Sequence, residues 1–141
     1  MNLTIQGLEE LRRKTAQMGR DFDAANAQAA GQSAKEVQGA AKLLCPVDTG
    51  ELRNSISAAV ETQGQSATGL VYTQAEHGVY VEFGAGRRGD PSVAHRHDWP
   101  GMAPQPFLYP ALAQCRAHIL SCYRQRILEA AAKQKAGGGD G

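Results

Sequence analysis

Two short motifs in this chain have the residue types of a catalytic or cofactor-binding sequence. The first, Asp48-Thr49-Gly50, matches the aspartic-protease triplet, whose chemistry needs two carboxylates about 3 Å apart that share a proton. In those enzymes the triplet follows an apolar strand, whereas here it follows a long helical pattern and Pro46. Glu51 lies three residues after Asp48, so we predict that the two form a capping box for a short helix over 49–54. A dimeric aspartic protease using Asp48 is the enzymatic alternative.

The second motif is Gly84–Gly89, which matches G-x-G-x-x-G directly after an apolar run. A dinucleotide site also needs a helix to begin at this point, so that its N-terminus faces the pyrophosphate. Asp90-Pro91 follows instead, and the sequence beyond it has no helical period. We therefore predict a flexible loop tip and no cofactor.

The segment 84–106 forms a long basic region without periodicity, rich in Gly, Pro, Arg and His. His95 and His97 could bind zinc weakly, but a tight site needs three or four ligands, so no metal is predicted. Loops of this length in small domains are usually functional or mobile, and arginine and tryptophan are enriched at interfaces. The candidate contacts with neighbouring subunits, partner proteins or DNA are Arg87, Arg88, Arg96 and Trp99. A small DNA-binding module is the second alternative, since the loop is locally positive.

Composition favours one domain of modest core, predicted over 1–135 and followed by a flexible Gly-rich end over 136–141. The net charge of +1 gives no overall field for nucleic acid. No apolar run of about 18 residues is present and the first residues do not resemble a signal peptide, so neither a membrane span nor secretion is expected. Three cysteines cannot all pair within one chain, which favours synthesis in the cytoplasm. Because large apolar residues are few, oligomerisation is favoured.

Two long helices dominate the predicted secondary structure. Apolar or small residues recur every three or four positions from Leu8 to Leu44, which predicts a helix over 5–45 with a break or kink near Gly19 or Gly31. A second helix is predicted over 107–133, with Pro110 in its first turn. Cys115 and Cys122 are predicted to lie on its buried face.

The sequence predicts β-strands in the middle of the chain. Ser55–Thr62 and Thr68–Thr73 are predicted to pair through a turn at Gln63–Ser66, and the alternation in Val79–Phe83 predicts a third strand. The predicted fold class is therefore α+β, with both long helices packed on an antiparallel sheet of three or four strands beside a long central loop.

Three sequence blocks, in this order, resemble the tailed-phage tail-component family named for gene product ten of a lambdoid phage. They are Pro46–Ile56 (Pro-Val-Asp-Thr-Gly-Glu-Leu-Arg-Asn-Ser-Ile), Gly78–Gly86 (containing Glu-Phe-Gly) and Met102–Ala111 (containing Pro-Gln-Pro-Phe-Leu). Members of that family typically have a long N-terminal helix before the first block, and their third block leads into the last helix. The resemblance extends over residues 5–130.

The resemblance implies a structural protein without catalytic activity. Such proteins lie at the head–tail junction or tail end of long-tailed phages and are similar to tail-terminator and tail-completion proteins, which form rings, usually sixfold, around the DNA channel. The expected partners are copies of the chain in a hexameric ring, neighbouring neck and tail-tube proteins, and DNA in the channel through non-specific contacts. The expected location is the virion, after assembly in the host cytoplasm. A head-closure or adaptor protein of the same neck is the alternative within this class.

Overall fold

A computed structural model describes residues 2–47, 50–92 and 100–138, with side chains for 7–47, 50–92 and 100–134. The described part of the chain has an α+β fold, as predicted, in which two long helices pack against each other and a two-stranded antiparallel sheet lies on the first of them. The elements in chain order are α1 Asn2–Leu44, α2 Glu51–Ser55, β1 Ile56–Gln63, β2 Ser66–Thr73, α3 Gly78–Phe83, a 3-10 turn at Gly86–Arg88, and α4 Leu108–Gly138.

Helix α1 confirms the long predicted helix and continues without the predicted break at Gly19 or Gly31. The small-residue stripe is buried from Ala25 to Val37, and burial then continues at Ala41 and Cys45, whereas Leu44, the last residue of the predicted periodicity, is exposed. Residues 7–20 are exposed at every position. The periodicity therefore identified the helix, but only its second half packs against the rest of the chain.

Helices α1 and α4 run antiparallel and contact each other along most of the length of α4. In the first half of α4, His118 Nδ1 lies 3.5 Å from Glu36 Oε2, and near its far end Gln134 donates a hydrogen bond to Asp21. Alanine is the most frequent buried residue on the facing surfaces, which allows the two helix backbones to approach closely. Helix α4 extends to Gly138, so it is longer than predicted and includes part of the segment expected to form a flexible end.

Strands β1 and β2 form the predicted hairpin, with Ile56 opposite Thr73 and Gln63 opposite Ser66. The sheet lies on α1 at a point where little space remains: a Cβ atom on Gly69 would stand 2.7 Å from the Ala30 carbonyl oxygen. Only glycine fits at this position of β2 without moving the hairpin away from the helix.

The third predicted strand is wrong, because Val79–Phe83 belongs to helix α3. Within the described residues the sheet therefore has two strands instead of three or four. A five-residue run is too short for its periodicity to separate a strand from a helical turn. The helical turn is closed by the Val81 N–H, which donates to His77 O at 3.1 Å. The carbonyls of Val81 and Phe83, at the end of the helix, accept hydrogen bonds from Gln105 (2.8 Å) and Asp90 (2.9 Å).

The core lies where the end of α1 meets α2, the first residue of β1 and the start of α4. Phe107 and Ile56 are its largest fully buried side chains, and Val37, Leu52 and Ala111 pack around them. Most other buried apolar positions are alanine, so the core is as thin as the composition suggests.

Replacing Gly69 and Gly39 by alanine should have opposite effects. Gly69→Ala should lower the free energy of unfolding by about 1–2 kcal/mol, because the new methyl group overlaps the Ala30 carbonyl. Gly39→Ala, in α1 with no atom within 4 Å of its added Cβ, should raise it by about 0.5–1 kcal/mol through helix propensity. Urea unfolding of both variants measures this. Equal effects at the two positions would contradict the close approach of β2 to α1.

Candidate functional site

The N-terminus of α4 is held by a carboxylate from α3. The Phe107 and Leu108 N–H groups donate to Glu82 Oε2 at 2.8 and 2.9 Å, and the Tyr109 N–H donates to Oε1 at 3.0 Å. Glu82 is buried, and its negative charge lies where the helix dipole is positive. A charged acceptor with several backbone donors is the arrangement that makes burying a carboxylate tolerable.

This contact also supplies an acceptor for the backbone N–H groups at the start of α4. The first N–H groups of a helix have no partner within the helix, and Phe107, just before α4, carries no acceptor that could cap it. Glu82 accepts from residues 107, 108 and 109, and Pro110 has no N–H to satisfy. The sequence signal was therefore present: a helix that begins Phe-Leu-Tyr-Pro needs an acceptor from elsewhere in the chain.

A backbone bridge closes the base of the central loop. Ala85 and Met102 exchange two N–H···O hydrogen bonds, each 2.9 Å long, and so pair as in an antiparallel sheet. Gly101 makes this approach possible: its φ is +74°, and a Cβ there would stand 1.8 Å from the Ala85 carbonyl oxygen. The bridge fixes both ends of the loop against the turn that follows α3.

Arg88 strengthens the same closure. Its guanidinium donates to the carbonyl oxygens of Pro100 (3.4 Å) and Gly101. Two residues farther along the loop, the Asp90 carboxylate accepts two hydrogen bonds from Ser92. The backbone N–H of Ser92 donates at 2.8 Å and its hydroxyl donates at 2.7 Å. Arg88, predicted as an interface or channel contact, thus has an intramolecular role in joining the two ends of the loop.

An apolar groove of about 670 Å³ opens beside this closure, between α1, β2, α3 and the start of α4. Its floor includes Val37, Val71 and the buried Ser33, whose hydroxyl has no hydrogen-bond partner among the described residues. Its rim carries large side chains that are substantially exposed: Val79, Phe83, Tyr109 and Leu112. A monomer rarely leaves so many adjacent apolar groups in water unless another molecule covers them.

The other predicted site residues are placed only in part. Glu51 is the first residue of α2, two positions later than the predicted helix start, and Asp48 lies outside the described residues, so the capping box stays a prediction. Arg87 is exposed in the 3-10 turn, while Arg96 and Trp99 lie in the undescribed part of the loop.

The three cysteines are free thiols. Cys122 is buried and Cys115 is half-buried against the core, which agrees with the packing role predicted for them. Burial raises the pKa of the Cys45 thiol, an effect that the nearby Arg53 partly offsets. Cys45 is therefore a packing residue at the end of α1 and not an activated nucleophile.

Comparison with known proteins identifies the family. A family model described as "Bacteriophage HK97-gp10, putative tail-component" matches residues 9–84, more than half of the chain. The chain belongs to this family. The match includes α1 from residue 9, α2, the hairpin and α3, so the resemblance drawn from the sequence blocks is confirmed. Neither the curated proteins nor the solved structures contain a match.

As a phage tail component, the chain is a structural protein of the virion. The matched region ends at Gly84, so it contains the capping carboxylate of Glu82 but not the α4 residues that donate to it. In the part of the chain that the structure describes, no helix is both long and apolar enough to cross a membrane. The same residues contain no group of three His, Cys, Asp or Glu side chains placed to hold a metal ion.

Removing the Glu82 carboxylate should destabilise the fold strongly. Glu82→Ala leaves the three donors at the start of α4 without an acceptor and should lower the free energy of unfolding by about 3 kcal/mol. Glu82→Gln keeps one acceptor oxygen and should lose roughly half as much. Chemical denaturation measures both, and amide hydrogen exchange at residues 107–109 localises the effect. Glu76→Ala, at an exposed carboxylate shortly before α3, should change stability by less than about 0.5 kcal/mol.

Substituting Gly101 should open the base of the loop. In Gly101→Ala the added methyl group cannot coexist with the Ala85 carbonyl, so the Ala85 and Met102 amides should lose their mutual protection from hydrogen exchange. Arg88→Ala, which keeps the backbone bridge, should produce a weaker change in the same amides. Unchanged protection in Gly101→Ala would contradict the bridge.

Proposed function

We propose that this tail component forms a homo-oligomeric ring of six subunits at the head–tail junction or the tail end. In this role it acts as a tail-terminator or tail-completion protein and joins the tail tube to the neck around the DNA channel. The proposal includes assembly in the host cytoplasm, contacts with neck and tail-tube proteins, and no catalytic activity.

The observation that carries this proposal is the presence of two different apolar surfaces on one chain. One is the first half of α1, where Leu8, Leu11 and Met18 are exposed. The other is the groove with Val79 and Leu112 on its rim. Because the two surfaces are not equivalent, contacts between copies can be heterologous, and heterologous contacts that close on rotation generate rings. Family membership supports the tail as the setting for this assembly.

The central loop is the proposed contact with neighbours or with DNA. Arg87 is exposed in the turn where the loop begins, and the loop contains Arg96 and Trp99. The bridge between Ala85 and Met102 holds the two ends of the loop side by side, which suits a loop that contacts a neighbour across a ring or DNA in a channel. Since the net charge is only +1, any DNA contact would be local and non-specific.

A head-closure or adaptor protein of the same neck is the second candidate. The same unpartnered surfaces favour it, because such a protein would also join a ring to neighbouring proteins of the virion. The two candidates differ in partner and position, which genetic loss in the phage can separate. Loss of a terminator should give tail tubes of uncontrolled length. Loss of a tail-completion protein should leave tails that cannot join complete heads, and loss of a head-closure or adaptor protein should leave heads that cannot join complete tails.

The test of the ring is native mass spectrometry with negative-stain imaging, on the purified protein alone and mixed with its tail-tube and neck proteins. Closed rings with a mass of six subunits are expected in at least one of these samples. A species that stays a strict dimer in every mixture would overturn the ring. In that case a peptidase assay comparing the natural chain with Asp48→Ala would test the dimeric aspartic protease alternative.

A further inference from the structure

We propose that the first half of α1, residues 7–20, here called the arm, occupies the apolar groove of a second copy of this chain. The proposal rests on the proposed ring in one respect, namely that copies associate head to tail. It goes beyond the ring proposal by naming the two surfaces that meet. These are the arm of one copy and the groove between α1, β2, α3 and α4 of the next copy.

The arm is a helix segment that is exposed at every position and packs against none of the other described residues of its chain. Gln134 of α4 reaches Asp21 of α1, and α4 ends only four residues later, at Gly138. Helix α1 continues for nineteen residues beyond Asp21 to Asn2, a length of about 28 Å. Leu8 and Leu11 on this segment are 49% and 60% exposed, although they continue the face that is buried farther along α1. A partner is therefore needed for an apolar stripe that already has helical spacing.

The groove has the complementary character. Its rim includes Val79 and Leu112, which are 45% and 52% exposed. The described residues that line it include the exposed Glu76 and the buried Glu82, whose carboxylate also caps α4, but no lysine or arginine. The arm carries a net positive charge, with four basic and two acidic residues: Arg12, Arg13, Lys14 and Arg20 against Glu9 and Glu10. Both the arm and the groove are apolar, and their charges are of opposite sign. These two properties favour the arm as the segment that occupies the groove.

A second copy is required because the arm cannot reach its own groove. The groove begins at Ala30 of the same continuous helix, and α1 has no break that would let its first half fold back. Pairing of two arms as a coiled coil would cover the leucines but leave the groove open. It would also rest on about two heptads, whereas stable coiled coils need three to four.

The size of the contact fits an assembly in which each copy makes two of them. A helix about 21 Å long and roughly 10 Å wide buries several hundred Å² per partner when one face lies in a groove. A standard stable interface buries about 800 Å² per partner. Each copy gives one arm to one neighbour and receives one from the other, so each interface is smaller than this standard and closure of a ring, in which every copy makes two contacts, stabilises the assembly.

The experiment compares two double variants by analytical ultracentrifugation over a range of protein concentrations. The arm variant carries Leu8→Gln and Leu11→Gln, and the groove variant carries Val79→Gln and Leu112→Gln. Both use exposed positions and a neutral polar residue, so folding and charge are kept. Each variant alone should self-associate at least about 100-fold more weakly than the natural chain, because two buried leucine-sized contacts are lost. The matched control Leu120→Gln with Leu128→Gln, at positions 65% and 61% exposed on α4, should associate normally.

The mixture of the two variants is the decisive sample. The arm variant keeps an intact groove and the groove variant keeps an intact arm, so the mixture should form one-to-one heterodimers and nothing larger. If the mixture stays monomeric, the two surfaces do not meet each other and the proposal is overturned. It is also overturned if the natural chain remains monomeric at all concentrations, or if the groove variant loses only the binding of another virion protein.

The outcomes separate this inference from the proposed function. Rings that form equally well with the arm variant would leave the ring intact and overturn the arm-in-groove contact. A natural chain that forms only dimers, lost in both variants and restored as a heterodimer in the mixture, would support the arm-in-groove contact by reciprocal exchange and overturn the ring.

Discussion

The fold depends on one charge-assisted contact, between the Glu82 carboxylate and the N–H groups of residues 107–109 at the start of α4. It joins two elements that are separated by the central loop, and it fixes where α4 begins and at what angle it leaves. Phe107, the largest fully buried side chain, lies directly at this contact, so the position of the core residue and the cap of the helix are set together. The bridge between Ala85 and Met102 then brings the loop ends together beside the same point.

From that point α4 returns along α1 over a surface of small side chains. Alanine allows the helix backbones to approach but contributes little apolar area per residue, so the packing is close while the core is thin. The larger side chains of both helices are found mostly at the edges of this contact and on the outer faces. Small side chains between the helices and large side chains outside them therefore have two effects. They limit the stability of the single chain, and they leave apolar surface exposed for partners.

The long elements could be predicted from the sequence, because a three-to-four period sustained over many turns leaves few alternatives, and the hairpin followed from its turn residues. Val79–Phe83 could not be assigned, since its apolar alternation fits a strand and the carbonyls at the end of the helix find their hydrogen-bond donors in residues 90 and 105, distant in sequence. The helical periodicity also could not reveal that Leu8 and Leu11 are exposed, because it shows that one face of a helix is apolar and not which residues cover that face. Asp48, Arg96 and Trp99 were selected by type and lie outside the described residues, whereas the role of Glu82 emerged only when α4 was in place.

The antiparallel pairing of α1 and α4 has a consequence for synthesis on the ribosome. The two helices are separated by more than sixty residues, and the small-residue face of α1 has its main partner in α4. At roughly 5–20 residues per second, α1 must wait several seconds after its own translation before that partner exists. During this interval the nascent chain can close the hairpin onto α1 but cannot complete its core, because Phe107 and Ala111 have yet to be added. Folding of these elements is therefore tied to the translation of α4, and shortened products that end before α4 would remain open.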